Sequence, residues 1–269
     1  MDKLAIIHIG QHKTGTTTIQ KNLGNNLNKK IYVPENFRYN STSIINHSPL
    51  AWYFYEDERL YNLKNNYIKF TLDKFKTEIK NKKIIFLSGE DFSLLLSNND
   101  CKKKFEEVFF GFRLVYICFL RNTYDKNSSL SIELSKHLKD NIFLRKYNLI
   151  KFYFFLSRYG YIKNIIFKNK KVNFYYTDHL KFIKKIVAES FGKFFFFTYS
   201  KNTEIVNEFF KMGILQNNND KKRLNVTKFK IKFFFLMLNK LFRVTLLKTN
   251  HKRHERKILN LKEIIDSYL

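Results

Sequence analysis

The stretch IIHIGQHKTGTTTIQKNL, residues 6–23, constrains the fold more than any other part of the chain. An apolar run stops at Gly10. A short polar loop follows, carrying a lysine and a second glycine, and three threonines then open a segment with helical spacing. This reads as strand, phosphate-cradling loop and helix, because the free N–H groups at a helix start bind anions. Further apolar runs repeat the strand signal. LAIIHI (4–9) is the first, KIYVP (30–34) a weaker second, and KIIFLS (83–88), LVYICFL (114–120) and VNFYYT (172–177) follow. Between them apolar residues recur at helical spacing, as in Ile19, Leu23 and Leu27, with Gly24 or the nearby asparagines as a stop, and again in Leu130, Leu134 and Leu138. Alternating strands and helices predict an α/β fold with a mainly parallel central sheet flanked by helices, and a ligand site at the carboxyl ends of the strands.

The length of 269 residues fits one large domain with an extension. We expect an α/β domain over 1–216, then a polar break, then a basic, helical C-terminal extension over 217–269. From Lys221 to Lys257 there are 13 Lys and Arg, and Glu255 is the only acid. Residues 228–247 have the pattern of a basic amphipathic helix, which suits either an anionic membrane surface or packing on the core. The whole chain carries 50 Lys and Arg against 23 acids, a net charge of +27. That favours anionic partners, although a composition rich in Lys, Asn, Ile and Phe also fits drift in an AT-rich genome. The two cysteines, Cys101 and Cys118, make no disulfide framework, and no apolar run reaches the ~18 residues of a membrane span. With no leader-like segment before the first strand, the expected location is cytoplasmic.

The loop has the Gly10–Gly15 spacing of a nucleotide triphosphatase loop, but Thr16 stands where that loop has its lysine, and the lysine is Lys13. HIGQHKTGTTTIQ resembles the 5′-phosphosulfate-binding loop of sulfotransferases that use 3′-phosphoadenosine 5′-phosphosulfate, and most of all their soluble bacterial, carbohydrate-modifying branch. The resemblance implies a P-loop-like sulfotransferase fold. It implies that Lys13, Thr14, Gly15, Thr16, Thr17 and Thr18 cradle the 5′-phosphate and that Lys13 neutralises the leaving oxygen. His12 would orient the loop. The family's second signature pairs a strand-end arginine with a serine eight residues on. CFLRNTYDKNSSLSIE supplies Arg121 and Ser129 for the 3′-phosphate, with Thr123 where a proline is common. IIFLSGEDFS (84–93), INHSPLAW (45–52) and VNFYYTDHL (172–180) are similar to the family's middle strand, a His-containing segment and a late strand.

A hydroxyl acceptor needs a base, and the candidates are Glu90, then His47, then Glu35. Asp125 and Asp178 read as turn or cap residues. No metal is expected, since His251, His254 and Glu255 lie in a basic tail without cysteine. The nucleotide would be the co-substrate, in its sulfated or bisphosphate form, and the acceptor a carbohydrate or glycolipid. Peripheral contact with an anionic inner membrane face is a further expectation, and specific nucleic-acid binding is not expected. Two rivals remain: a P-loop small-molecule kinase, and a non-catalytic binder of nucleic acid or a membrane surface.

Overall fold

The structure, a computed structural model, describes residues 3–10, 16–39, 44–60, 71–121, 161–162, 165–167, 170–172, 175–176, 179–199, 202–216 and 251–269. In chain order the elements are β1 (Lys3–Ile9), α1 (Thr16–Asn26), α2 (Ser48–Phe54), α3 (Leu72–Ile79) and β2 (Ile84–Gly89). Next come α4 (Phe92–Leu95), α5 (Asn99–Glu107), β3 (Phe112–Arg121) and four short strands, β4 (Tyr161–Ile162), β5 (Ile165–Phe167), β6 (Lys170–Val172) and β7 (Tyr175–Tyr176). The chain continues through α6 (His179–Val187), β8 (Lys193–Tyr199) and α7 (Asn202–Lys211) to α8 (His251–Asp266).

Four strands form the central sheet in the order β2-β1-β3-β8, and every pairing is parallel. Ile9 lies opposite Gly89 on one side and Cys118 on the other, so β1 and β2 end together while β3 runs on to Arg121. Strand alternation sends the two sets of β1 side chains to opposite faces. Leu4 and Ile6 share one core with Ile19 and Leu23 of α1, Phe209 of α7 and Leu261 of α8. Ala5, Ile7 and Ile9 share the other with Leu50 of α2, Phe75 of α3, Phe105 of α5 and Phe182 of α6. Helices on both faces explain why these strands are apolar throughout instead of alternating. The α/β class with a parallel, helix-flanked sheet is thus observed.

Two strand expectations need correction, and the central sheet holds one strand absent from them. KIYVP makes only an isolated bridge, Tyr32 to Ile85, at the outer edge of β2. Pro34 has no N–H with which to extend the ladder. The described residues of VNFYYT, Val172, Tyr175 and Tyr176, are not in the central sheet: Lys170–Val172 and Tyr175–Tyr176 belong to two separate antiparallel pairs, β5–β6 and β4–β7. The fourth central strand is KFFFFTY, Lys193–Tyr199, which docks on the free edge of β3.

The Leu130, Leu134 and Leu138 periodicity, the 217 boundary and the amphipathic 228–247 segment lie outside the described residues, as do Asp125 and Asp178. Helix α8 presents Ile258, Leu261, Ile264 and Ile265 to the core at helical spacing. Lys257 Nζ donates to the Phe196 carbonyl at 2.9 Å, and His254 lies 3.4 Å from the Glu208 carboxylate. Among the described residues no helix is long and apolar enough to cross a membrane.

The turn that feeds β8 is fixed by α5. Lys102 is fully buried, and its ammonium donates to the carbonyls of Lys185, Ile186 and Ala188, the open end of α6. One turn on, the Glu106 carboxylate accepts from the Tyr116 hydroxyl at 2.9 Å, the Phe191 N–H at 3.0 Å and the Ser190 hydroxyl. Lys102→Met keeps the volume but strips three carbonyls of their donor. We expect it to lower unfolding free energy by about 2–3 kcal/mol in urea titration, and a loss below about 0.5 kcal/mol, the size of a neutral surface change, would contradict this account of the cap.

Candidate functional site

The site is built where β1 ends, α1 begins and β2 ends. Gly10 donates its N–H to the Gly89 carbonyl at 3.0 Å, so the ladder continues one residue past β1. A Cβ at Gly10 would lie 2.5 Å from Thr16 Oγ1, 2.7 Å from Thr16 Cγ2 and 3.2 Å from the Glu90 Cα. No side chain fits there. The absence of one lets the helix start and the β2 terminus close on the same point. Thr16 is the first residue of α1 and is 1% exposed, yet its hydroxyl oxygen has no hydrogen-bond partner among the described residues. A buried hydroxyl left bare costs free energy unless something meets it. Thr17 is half-buried, Thr18 is buried, and the Thr18 carbonyl accepts from Asn22 Nδ2 at 2.9 Å.

Of the expected loop residues, His12, Lys13, Thr14 and Gly15 lie outside the described residues, and so does Ser129. The structure brings Gly10, Thr16 and Glu90 together. Glu90 is half-buried, immediately past β2. Its carbonyl accepts from the Ser93 hydroxyl at 2.9 Å and starts the turn into α4, while Asp91 takes the N-cap position. Arg121 is half-buried at the end of β3, the strand beside β1, three residues past the partner of Ile9. At strand rise that is roughly 10 Å further along the same edge. The edge therefore offers two separate corners, one at Thr16 and one at Arg121.

His47 has a different setting from the one its sequence suggested. It is fully buried, and both ring nitrogens are committed. Nε2–H donates to the Pro34 carbonyl at 2.9 Å, and Nδ1 accepts the Ser88 N–H at 3.3 Å. Its own N–H donates to the Ser88 carbonyl at 2.7 Å. Burial holds the ring down at about pKa 4, although the contacts to Pro34 and Ser88 pull the other way. A neutral ring with no spare nitrogen has nowhere to put an acceptor's proton. What it does is fix the end of β2, two residues before Glu90. Glu35 is exposed, and its N–H is held by Glu78 Oε1 at 2.6 Å.

Two further groups escaped the sequence reading. His8, on β1, is buried with Nδ1 2.9 Å from Ser88 Oγ, and burial holds its pKa down at about 3. Its ring packs edge-on to Phe119 and Phe209, so its neighbours are those of a core residue. Behind Glu90 lies an ionic cluster. Arg59 forks onto Asp57 at 2.8 and 2.9 Å, reaches Asp91 at 3.1 Å and lies 4.5 Å over the Trp52 ring. The Tyr55 hydroxyl donates to Asp91 at 3.2 Å. Asp91 is 4% exposed, so this cluster pins the residue next to Glu90. The acidic pair in GED was the available signal; nothing in YEDERL showed that Arg59 would reach it.

Among the described residues no group of three or more His, Cys, Asp or Glu is placed to hold a metal ion.

The two buried histidines set an acid limit. Each titrates near 6.5 when unfolded and at about 3 (His8) or about 4 (His47) when folded. The unfolded chain binds more protons in between, so their contribution is full above pH 6.5 and is lost as pH falls toward 4 and 3. By pH 5 each should have cost about 2 kcal/mol. Urea unfolding at pH 7.5 and pH 5 should show that loss, and His47→Gln should remove about half of the pH dependence. A flat wild-type profile over this range would contradict the neutral, buried rings.

No family model matches this chain, and no curated protein matches it. Among solved structures, the crystal structure of a sulfotransferase from Alicyclobacillus acidocaldarius is similar, with a TM-score of 0.44 and 10% sequence identity, over 91% of this chain and 98% of that one. Likeness at this level assigns no activity to the chain.

Proposed function

We propose that the chain is a sulfotransferase that moves a sulfuryl group from 3′-phosphoadenosine 5′-phosphosulfate to a hydroxyl, with a carbohydrate or its lipid-linked precursor as acceptor. The observation that carries this reading is the buried Thr16 hydroxyl at the start of α1, without a hydrogen-bond partner among the described residues and packed against a glycine with no room for a side chain. An oxygen of a 5′-phosphate would give that hydroxyl its missing acceptor, and the helix start adds N–H donors and a favourable dipole. The motif around it, with Lys13 inside the loop and Thr16 at the Walker lysine position, favours a phosphosulfate over a Mg²⁺-bound triphosphate.

In this proposal Thr14 to Thr18 hold the 5′-phosphate, with His12 orienting the loop. Arg121 and Ser129 hold the 3′-phosphate at the second corner of the edge. Lys13 meets the charge that builds on the bridging oxygen as the S–O bond breaks. Glu90 takes the acceptor's proton as the new O–S bond forms, and His47 and the Arg59–Asp91 cluster hold Glu90 in place. The departing group is adenosine 3′,5′-bisphosphate. A sulfuryl group carries less charge than a γ-phosphoryl, so Lys13 does the work that a metal does in phosphoryl transfer. We place the enzyme in the bacterial cytoplasm, with the basic region 221–257 reaching anionic glycan or the inner membrane face.

The roles separate kinetically. Lys13→Ala and Glu90→Gln should lower kcat by 100-fold or more with little change in nucleotide affinity. Arg121→Ala should instead weaken nucleotide binding by about 10-fold or more, as expected for loss of a charged fork to phosphate. Steady-state assays with labelled donor and calorimetry on the same variants decide it. If Arg121→Ala leaves affinity intact and Lys13→Ala abolishes it, the roles are wrong.

A further inference from the structure

At the opposite, amino-terminal edge of the sheet, two phenylalanines stand in water. Phe110, in the turn before β3, is 96% exposed, and Phe191, in the turn before β8, is 79% exposed. β3 and β8 are hydrogen-bonded neighbours, and β8 starts level with Val115, so the two turns belong to adjacent strands with Phe110 about three residues, roughly 10 Å, further out than Phe191. Both turns are rigidly built: Gly111 and Glu189 take left-handed backbone angles (φ 87° and 57°), and Glu106 grips the Phe191 N–H at 3.0 Å. Every central strand also starts beside a cation on this edge, with Lys3 for β1, Lys83 for β2, Arg113 for β3 and Lys193 for β8. Lys83 and Lys193 are exposed. Glu107 and Glu189 are the exposed acids of the two turns.

We infer that this edge is a docking face for an anionic phospholipid surface. Protruding aromatic tips on an edge where each strand starts with a cation, and where cations outnumber the two exposed acids of the turns, fit a layer whose outside is negative and whose inside is apolar. The match to nucleic acid is poorer, because bases stack on aromatic faces lining a groove, whereas these rings project from convex turns. A second copy of the chain is disfavoured by a net charge of +27 on each partner. The inference does not depend on the proposed reaction, and it rests on residues other than those of the basic region 221–257. It does fix the orientation. The seven-residue β1 holds Gly10 on the order of 20 Å from this edge, so a docked molecule turns its candidate site away from the lipid, toward acceptors in water or on chains projecting from the membrane.

The test is co-sedimentation of the full chain with vesicles of phosphatidylcholine alone, or with 30% phosphatidylglycerol, at physiological salt. The wild type should bind the anionic vesicles, and Phe110→Ser with Phe191→Ser should weaken binding at least 10-fold with an unchanged circular dichroism spectrum. Phe110→Trp should be quenched by brominated lipid while the buried Trp52 of the wild type is not. Undiminished binding by the double variant would assign the membrane contact elsewhere and overturn the inference. So would no binding by the wild type. Loss, in the double variant, of self-association or of RNA binding that the wild type shows without vesicles would identify a different partner and overturn it too.

Discussion

Gly10 has no space for a side chain, and the arrangement of the sheet's carboxyl edge follows from that. β1 delivers its last hydrogen bond to Gly89 through this residue, α1 begins against it, and the backbone of Glu90 passes within contact distance. A methyl group here would push apart three elements that close on this one residue. Because the sheet is parallel and β1 is central, that point also lies beside the end of β3 and its Arg121. One missing side chain thus sets how closely the helix start approaches the backbone of Glu90, while Arg121 stands roughly 10 Å further along β3.

The second layer of the site is made of groups whose charges are suppressed or satisfied. His47 and His8 both hold Ser88, one through the backbone and one through the hydroxyl, and both are kept neutral by burial. Arg59 and Asp91 pair with each other, with Asp57, Tyr55 and Trp52 closing the cluster. Such a shell spends ionisable residues on geometry and leaves Glu90 and Arg121 at the surface of the edge. The same division of labour recurs at the other edge, where Lys102 and Glu106 are buried to hold the turns and leave Phe110 and Phe191 in water.

How far the sequence reveals this depends on the range of the interaction. β1, β2 and β3 were legible because each is a continuous apolar run beside a turn, and the proximity of Gly10 to Thr16 followed from the loop spacing. The choice between VNFYYT and KFFFFTY was not legible. Both runs are aromatic and β-prone, and only the free edge of β3 and the placement of α6 select the second. KIYVP has the composition of a strand, but only Tyr32 pairs, because Pro34 cannot donate to the ladder. His47 was visible as a histidine, but its role rests on the Pro34 carbonyl and the Ser88 N–H, which belong to backbone positions 13 and 41 residues away. Arg59 and Asp91, 32 residues apart and outside any periodic pattern, left no trace that a single sequence could expose.

The central claim is that the Gly10–Thr16 corner and Arg121 together bind a nucleotide carrying both a 3′- and a 5′-phosphate. Calorimetric titration of the full chain with adenosine 3′,5′-bisphosphate, in the presence of a chelator, tests it most directly, with ATP–Mg²⁺ as the competitor. The account predicts one-to-one, metal-independent binding of the bisphosphate at least 100-fold tighter than ATP–Mg²⁺. Tighter binding of ATP–Mg²⁺, or no binding of either nucleotide, would contradict it.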